Sequence, residues 1–270
     1  RQTAQDLYAS LKGERNLADS YCLTTLLYPA HRKRLLEEIR QRLQSHLPCQ
    51  VVSTSLIEAG VDVDFPVAYR ELAGLDSILQ TAGRCNREGD RPAAESPVYI
   101  FRLAGQPAPK LTEQNIDAVR HVLRDYDDPS GLDAIESYFT FLRTLKGDAA
   151  LDKENILDSF RYGIQGNFLP FASVAEKVHL IDTGTRPVYI PLEEGKDLIS
   201  DLRQGKRSRS LFRKLGQYAE NVYPLHLERL ERAGAVQWLD EEVIVLTDPR
   251  CYDAHTGLQL DPGEGRFFMI

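Results

Sequence analysis

The sequence predicts an α/β chain in which a parallel-sheet lobe is followed by a helical linker and then by a small α+β domain. Three observations carry this expectation. Up to about residue 105, apolar strand-like runs alternate with amphipathic helical segments, the pattern of a parallel sheet covered by helices. The stretch Gly105-Gln106-Pro107-Ala108-Pro109 then interrupts the alternation with residues that continue neither helix nor strand. Beyond it the texture changes, first to paired helices and then to short strands between short helices. The expected divisions are 1–105, 106–170 and 171–270.

The elements follow in order. Ala4, Leu7, Tyr8 and Leu11 share one face of an opening helix, and Tyr21 to Tyr28 reads as an apolar strand. Pro29 to His46 reads as a helix. Pro29 suits its first turn, where a missing N–H costs nothing, and Leu35, Leu36, Ile39 and Leu43 recur at helical spacing. Arg32, Lys33, Arg34, Arg40 and Arg42 then fall on its wet face. Gln50 to Thr54, Val67 to Arg70 and Val98 to Leu103 read as further strands. Residues 112–146 read as two helices with apolar faces at Ile116, Val119, Val122, Leu123 and at Ile135, Tyr138, Phe139, Leu142, separated by Pro129-Ser130-Gly131. From about residue 171, strands are expected at Val178 to Ile181, Val188 to Ile190 and Val243 to Leu246.

Composition narrows the possible classes. With 270 residues and 42% hydrophobic content the chain can bury a substantial core. No run of 18 apolar residues is present to span a bilayer, nor does a basic-then-apolar leader precede the first helix. The expectation is a cytoplasmic protein without a membrane partner. Cys22, Cys49, Cys85 and Cys251 are scattered, with no Cys-x-x-Cys pair and no histidine at ligand spacing, so neither a disulfide nor a metal site is expected. A net charge of −7 confines any nucleic-acid contact to a local basic surface. The single methionine is Met269 and the chain opens at Arg1 inside a helical pattern, which reads as part of a longer polypeptide.

Two segments carry chemistry. In an open α/β sheet, ligands gather at the carboxyl ends of strands. Ser53, Thr54 and Ser55 follow the Gln50 strand, with hydroxyls and N–H groups that suit either phosphate oxygens or the cap of a following helix. Gly60 permits a tight approach, and Asp62 offers a carboxylate to a ribose hydroxyl or to a neighbouring arginine. In the second segment, Gln80, Arg84 and Arg87 lie on an expected helical turn with Gly83 before the arginines. Such a guanidinium pair fits polyphosphate oxygens or a solvated face.

Together these segments resemble the superfamily-two helicases, and more closely the CRISPR-associated helicase-nuclease of type I interference systems. The run from Ser53 to Pro66 (STSLIEAGVDVDFP) is similar to the fifth helicase motif, and Asp76 to Gly89 (DSILQTAGRCNREG) to the sixth. A weaker likeness extends through Phe171 to Ile181 and Tyr252 to Leu258. The resemblance implies that residues 1 to about 105 form the second of two RecA-like lobes, lacking its first strand. It implies Arg87 as an arginine finger, Arg84 on the γ-phosphate, and Gln80 coupling phosphate to DNA. Gly60 and Asp62 are then nucleotide-binding, with Asp62 on the ribose, while Ser53, Thr54 and Arg32 contact the DNA backbone. ATP and Mg2+ are the implied cofactors, held mainly by the absent first lobe. Single-stranded DNA, the RNA-guided surveillance complex, and the missing first lobe and nuclease domain are the implied partners.

The departures from the pattern matter equally. The sequence contains no Gly-x-x-x-x-Gly-Lys-Ser/Thr loop, no Asp-Glu-x-His or Asp-Glu-x-Asp box, and no His-Asp dyad. By itself the chain is therefore expected neither to hydrolyse ATP nor to cut DNA. Two other readings stay open: a fragment of another superfamily-two helicase, or a non-catalytic scaffold that binds protein or DNA. Arg203 to Lys214 holds six basic residues and no acid, which suits a phosphate track or a solvated helix face. Tyr218, Tyr223 and Trp238 suit core packing better than base stacking. The acidic pairs Asp127-Asp128 and Glu193-Glu194 receive no role.

Overall fold

Two separate strand pairs are wholly parallel in the computed structural model, which describes residues 1–14, 19–58, 60–105, 110–147, 152, 154–166, 168–177 and 184–261. Strand β1 (Ser20–Leu23) pairs with β2 (Gln50–Ser53), placing Tyr21 opposite Val51. Strand β3 (Ala68–Glu71) pairs with β4 (Val98–Phe101), placing Tyr69 opposite Tyr99. The two pairs are separate two-stranded sheets among the described residues, and the chain divides into two compact units accordingly. One comprises Arg1–Val63 with Thr183–Ile270, the other Asp64–Asp182.

In the first unit, helix α1 (Gln2–Glu14) precedes β1 and helix α2 (Pro29–Gln44) links β1 to β2. This parallel crossover needs a helix to carry the chain back. Pro29 begins α2 as expected, and His46 at φ 52° ends its run. Ile39 is fully buried, whereas Leu35 and Leu36 are only half-buried. Arg42, in the last turn, pairs with Asp19 and donates to the Pro48 carbonyl at 2.8 Å, tying the helix end to the chain on both sides of it. The expected strand to Tyr28 is shorter: after Leu23 the chain turns, with the Leu26 amide donating to Thr24 Oγ1 at 3.1 Å.

The later part of this unit alternates short strands with short helices. Strands β5 (Arg186–Tyr189), β6 (Ala219–Val222), β7 (Val236–Trp238) and β8 (Ile244–Leu246) form one mixed sheet in the order β6-β5-β8-β7. Helices α8 (Gly195–Arg203), α9 (Arg209–Leu215) and α10 (Pro224–Arg232) connect them. Val188, Ile190, Ile244 and Val245 are buried at its centre. A short hairpin of β9 (Tyr252–Asp253) and β10 (Gly257–Leu258) follows. The strand expected at Val178 to Ile181 lies outside the described residues.

In the second unit, α3 (Leu75–Ala82) shares a core with α4 (Lys110–Asp125) and α5 (Leu132–Lys146). Leu75, Ile78, Val119, Val122, Ala134, Tyr138 and Leu142 pack there. Helices α6 (Ile156–Gln165) and α7 (Phe171–Lys177) follow. Two expected core positions are exposed instead, Phe139 at 54% and Leu123 at 49%. The buried face of α5 runs through Ala134, Tyr138 and Leu142 at intervals of four, and Phe139 stands about 100° around the helix from that line. No helix among the described residues is long and apolar enough to cross a membrane.

Candidate functional site

The first unit holds Ser53, Thr54, Gly60, Asp62 and Arg32; the second holds Gln80, Arg84 and Arg87. Ser53 closes β2 and turns its hydroxyl inward, donating to the Leu23 carbonyl at 3.0 Å and lying 2.8 Å from the Thr54 carbonyl. Thr54 then precedes a single 3-10 turn, Ser55–Ile57, and makes no side-chain cap bond to it. Helix capping therefore does not account for the Thr54 hydroxyl, which is half-exposed at the carboxyl end of β2.

Gly60 takes φ +72°, and a Cβ built there meets nothing within 4 Å among the described residues. The backbone conformation at Gly60, which L side chains rarely adopt, calls for glycine there. Asp62 is exposed, and its carbonyl accepts from Arg40 Nε at 2.8 Å. This bond joins the segment after Gly60 to α2. Arg32 sits one turn into α2, half-buried, with its amide bonded to the Tyr28 carbonyl at 3.0 Å.

In the second unit, α3 buries Leu75, Ile78 and Thr81 and leaves Gln80 exposed. The expected helical turn carrying both arginines is not formed. The helix ends at Ala82, and the amides of Arg84 and Cys85 donate to Thr81 and Ala82 at 2.9 and 3.0 Å, the tighter three-residue bonds of a closing helix. Cys85 then bridges Phe65 in parallel, with the Phe65 amide on the Arg84 carbonyl and the Asn86 amide on the Phe65 carbonyl, both at 2.9 Å. A Cβ at Gly83 would meet only the carbonyls of Leu79 and Gln80 at ordinary contact distance. The close backbone approach in this segment is made at Cys85, two residues beyond Gly83.

The resulting loop is fastened at several points. Asn86, at φ 49°, donates its amide to the Arg91 carbonyl at 2.7 Å and accepts the Arg91 amide at 3.0 Å. Asparagine tolerates this left-handed conformation better than most residues. The Arg87 amide donates to Asp64 Oδ1 at 2.7 Å. Arg87 is exposed at the tip of this loop and Arg84 is half-buried at its start. Asp64, Asn86 and Arg91 are functional candidates that reading from residue types missed. The Asp-Phe-Pro run at 64–66 and the Asn between the two arginines were visible, but their bonds join positions that only the fold brings together.

The remaining candidates divide. Tyr218 is buried with its ring tilted against that of Tyr28, centroids 5.4 Å apart, as core packing predicts. Tyr223 and Trp238 are substantially exposed instead, Trp238 donating from Nε1 to Glu231 at 2.6 Å. In the basic stretch, Lys206 pairs with Asp201 and Arg207 with Asp240, so part of its charge is neutralised internally. Glu193 pairs with Arg34 at 2.7 Å. No group of three or more His, Cys, Asp or Glu side chains among the described residues is arranged to hold a metal ion.

Comparison with known proteins places this geometry in context. Residues 2–90 match the family described as CRISPR-associated nuclease/helicase Cas3, C-terminal. The CRISPR-associated nuclease/helicase Cas3 of Methanothermobacter thermautotrophicus is 30% identical over 129 residues, 47% of this chain. That of Haloferax volcanii is 44% identical over 73 residues, 27% of this chain. The matched segments amount to 15% and 8% of those relatives' own length. Crystal structures of T. fusca Cas3-AMPPNP and T. fusca Cas3-ATP are similar in fold, with TM-scores of 0.56 and 0.53 at 16% and 17% identity. Both similarities cover 91% of this chain and 34% of the other. The chain thus resembles the C-terminal part of the CRISPR-associated helicase-nuclease Cas3, and its mixed α/β fold, with small parallel sheets, is similar to a part of that protein.

Proposed function

We propose that the chain is the C-terminal part of an ATP-dependent single-stranded DNA translocase joined to a nuclease and acting in CRISPR antiviral defence. In this reading residues 1 to about 105 belong to the second RecA-like lobe, 106–170 to a helical linker and 171–270 to an accessory domain. The observation that carries it is the loop from Arg84 to Arg91. Its backbone is fastened by Asp64 and Asn86, while Arg87 stands exposed at its tip. A guanidinium delivered on a fixed backbone suits a group that must meet developing phosphate charge without reorganising.

Arg87 serves as the arginine finger, Arg84 as a second phosphate donor, and Gln80, exposed on α3, links phosphate to DNA. Asp62 receives a ribose hydroxyl, and Gly60 supplies the turn that presents it. Thr54, Ser53 and Arg32 grip the strand backbone; Thr54 is the better placed of the two hydroxyls, since Ser53 is already bonded to Leu23. ATP supplies the transferred phosphoryl group when bound. Its phosphates fit the exposed guanidinium of Arg87. A magnesium ion does not fit the described residues, which include no suitable carboxylate cluster, and its ligands are assigned to protein outside this chain.

The test combines the chain with a separately produced first lobe and measures DNA-stimulated ATP turnover. Restored turnover supports the motor reading, and its absence together with retained DNA or protein binding supports the scaffold. In the restored assembly Arg87→Ala should lower turnover by about 10³ to 10⁵ with little change in nucleotide affinity. Unchanged turnover would falsify the finger role.

A further inference from the structure

We propose that the hairpin of β9 and β10 is a hook that positions Arg32 for the DNA strand, with Tyr252 as its positioning residue. The role rests on the DNA-backbone reading of Arg32 given above. Tyr28 is the N-cap residue of helix α2 and makes no side-chain cap bond. Its first amide is held from elsewhere in the chain: Tyr28 N–H donates to the Tyr252 hydroxyl at 3.2 Å. The same hydroxyl lies 2.9 Å from His31 Nδ1, one turn into the helix. One phenol therefore fastens both ends of the turn that precedes Arg32.

The hydrogen-bond roles can be assigned. His31 is buried, and burial together with the nearby Arg34 charge holds its imidazole down to about 4. A neutral ring accepts at Nδ1, so Tyr252 donates to His31 while accepting from Tyr28. The second prong is backbone on backbone. The Leu258 amide donates to the Leu26 carbonyl at 2.8 Å, and a Cβ at Gly257 would lie 2.2 Å from that carbonyl oxygen. Gly257 also takes φ +81°, so only glycine admits this contact. The Tyr28 ring lies against both Tyr252 and Tyr218, with centroids 5.0 and 5.4 Å away.

Around this fastened turn, Arg32 is left available. Its guanidinium makes no hydrogen bond with the described residues, and the buried carboxyl of Glu220 on β6 lies within its electrostatic reach. Glu220 is 4% exposed, and one of its oxygens has no hydrogen-bond partner. Burial pushes that carboxyl up to about 8, against the pull of Arg32 and Arg1. A neutral Glu220 leaves the Arg32 charge unspent for a phosphate at neutral pH.

The experiment uses the 270-residue chain with Tyr252→Phe, which keeps the buried ring and removes the hydroxyl, and with Gly257→Ala, which strikes the other prong. Hydrogen exchange across residues 24–32 and the salt dependence of affinity for a single-stranded oligothymidylate are both measured, with Arg32→Ala as reference. Faster exchange confined to that segment is expected, together with roughly tenfold weaker DNA binding at low salt. The salt slope should fall by about 0.7, as for one lost phosphate contact on a single strand. Tyr252→Phe should add nothing further to Arg32→Ala. A variant with faster exchange and the parent's salt slope, where Arg32→Ala lowers that slope, overturns the positioning role alone. An Arg32→Ala variant with the parent's slope overturns the DNA reading of Arg32, and the positioning role with it.

Discussion

Asn86 and Asp64 show how single side chains turn a motif into a device. Arginine pairs are common on solvated helix faces, but here the helix stops at Ala82 and the arginines emerge on a loop closed by side-chain bonds. Asp64 holds the Arg87 amide, so its removal should loosen the tip without touching the guanidinium. Asp64→Ala in the assembly restored with the first lobe is expected to lower turnover by roughly 10 to 100 fold with nucleotide affinity nearly unchanged, because small misplacements of a catalytic group are costly. Steady-state kinetics with separate nucleotide titration checks this. Asn86→Gly retains the left-handed backbone but loses both bonds to Arg91, whereas Asn86→Val also strains the backbone. The first should cost about 1 to 2 kcal/mol and the second more, measured by urea denaturation.

At the scale of elements, α3 is held by the helices that follow the Pro/Gly break. The hydroxyl of Tyr138, a fully buried residue of α5, donates to Asp76 Oδ1 at 3.1 Å in the first turn of α3. Gly74, just before that turn, lies against the same two groups: a Cβ there would meet Asp76 Oδ1 and the Tyr138 hydroxyl and displace their hydrogen bond. The helix that leads to Arg84 is therefore aimed by the helical region beyond residue 110. Tyr138→Phe should cost about 1 kcal/mol, the value of one buried hydrogen bond, and Tyr138→Ala about 3 to 5. Equilibrium unfolding in urea reads both. The amphipathic spacing of α4 and α5 made these helices legible beforehand, since burial on one face repeats every three or four residues. The shared core with α3 was not legible, because periodicity identifies an apolar face and not the partner that covers it.

Across the whole molecule, two buried titratable groups set opposing responses to pH. His31 is held down to about 4 from 6.5, so the unfolded chain binds the extra proton and stability falls as pH drops through that window. Glu220 is pushed up to about 8 from 4.5, so the folded chain binds the extra proton and stability falls as pH rises through that window. The groups facing Glu220 are Arg32 from α2 and Arg1 at the start of the chain, and both pull its carboxyl down without overcoming burial. Stability should peak near about pH 6 and decline by roughly 2 kcal/mol toward pH 8. Glu220→Gln should flatten the alkaline decline and leave the acid limb in place. Chemical denaturation across pH 4 to 9 tests the pair.

The order of strands and helices through residue 146, the Pro29 helix start and the two helicase-like segments were determined by local sequence, because helix period, strand alternation and turn chemistry act between near neighbours. Tertiary structure alone decided that Asp64 grips the Arg87 amide, that Tyr252 caps a helix 224 residues upstream, and that Glu220 is buried beside Arg32. Those arrangements depend on which distant backbone groups meet and on how much water is excluded when they do. Both are properties of the packed chain, and no spacing within a single segment encodes them.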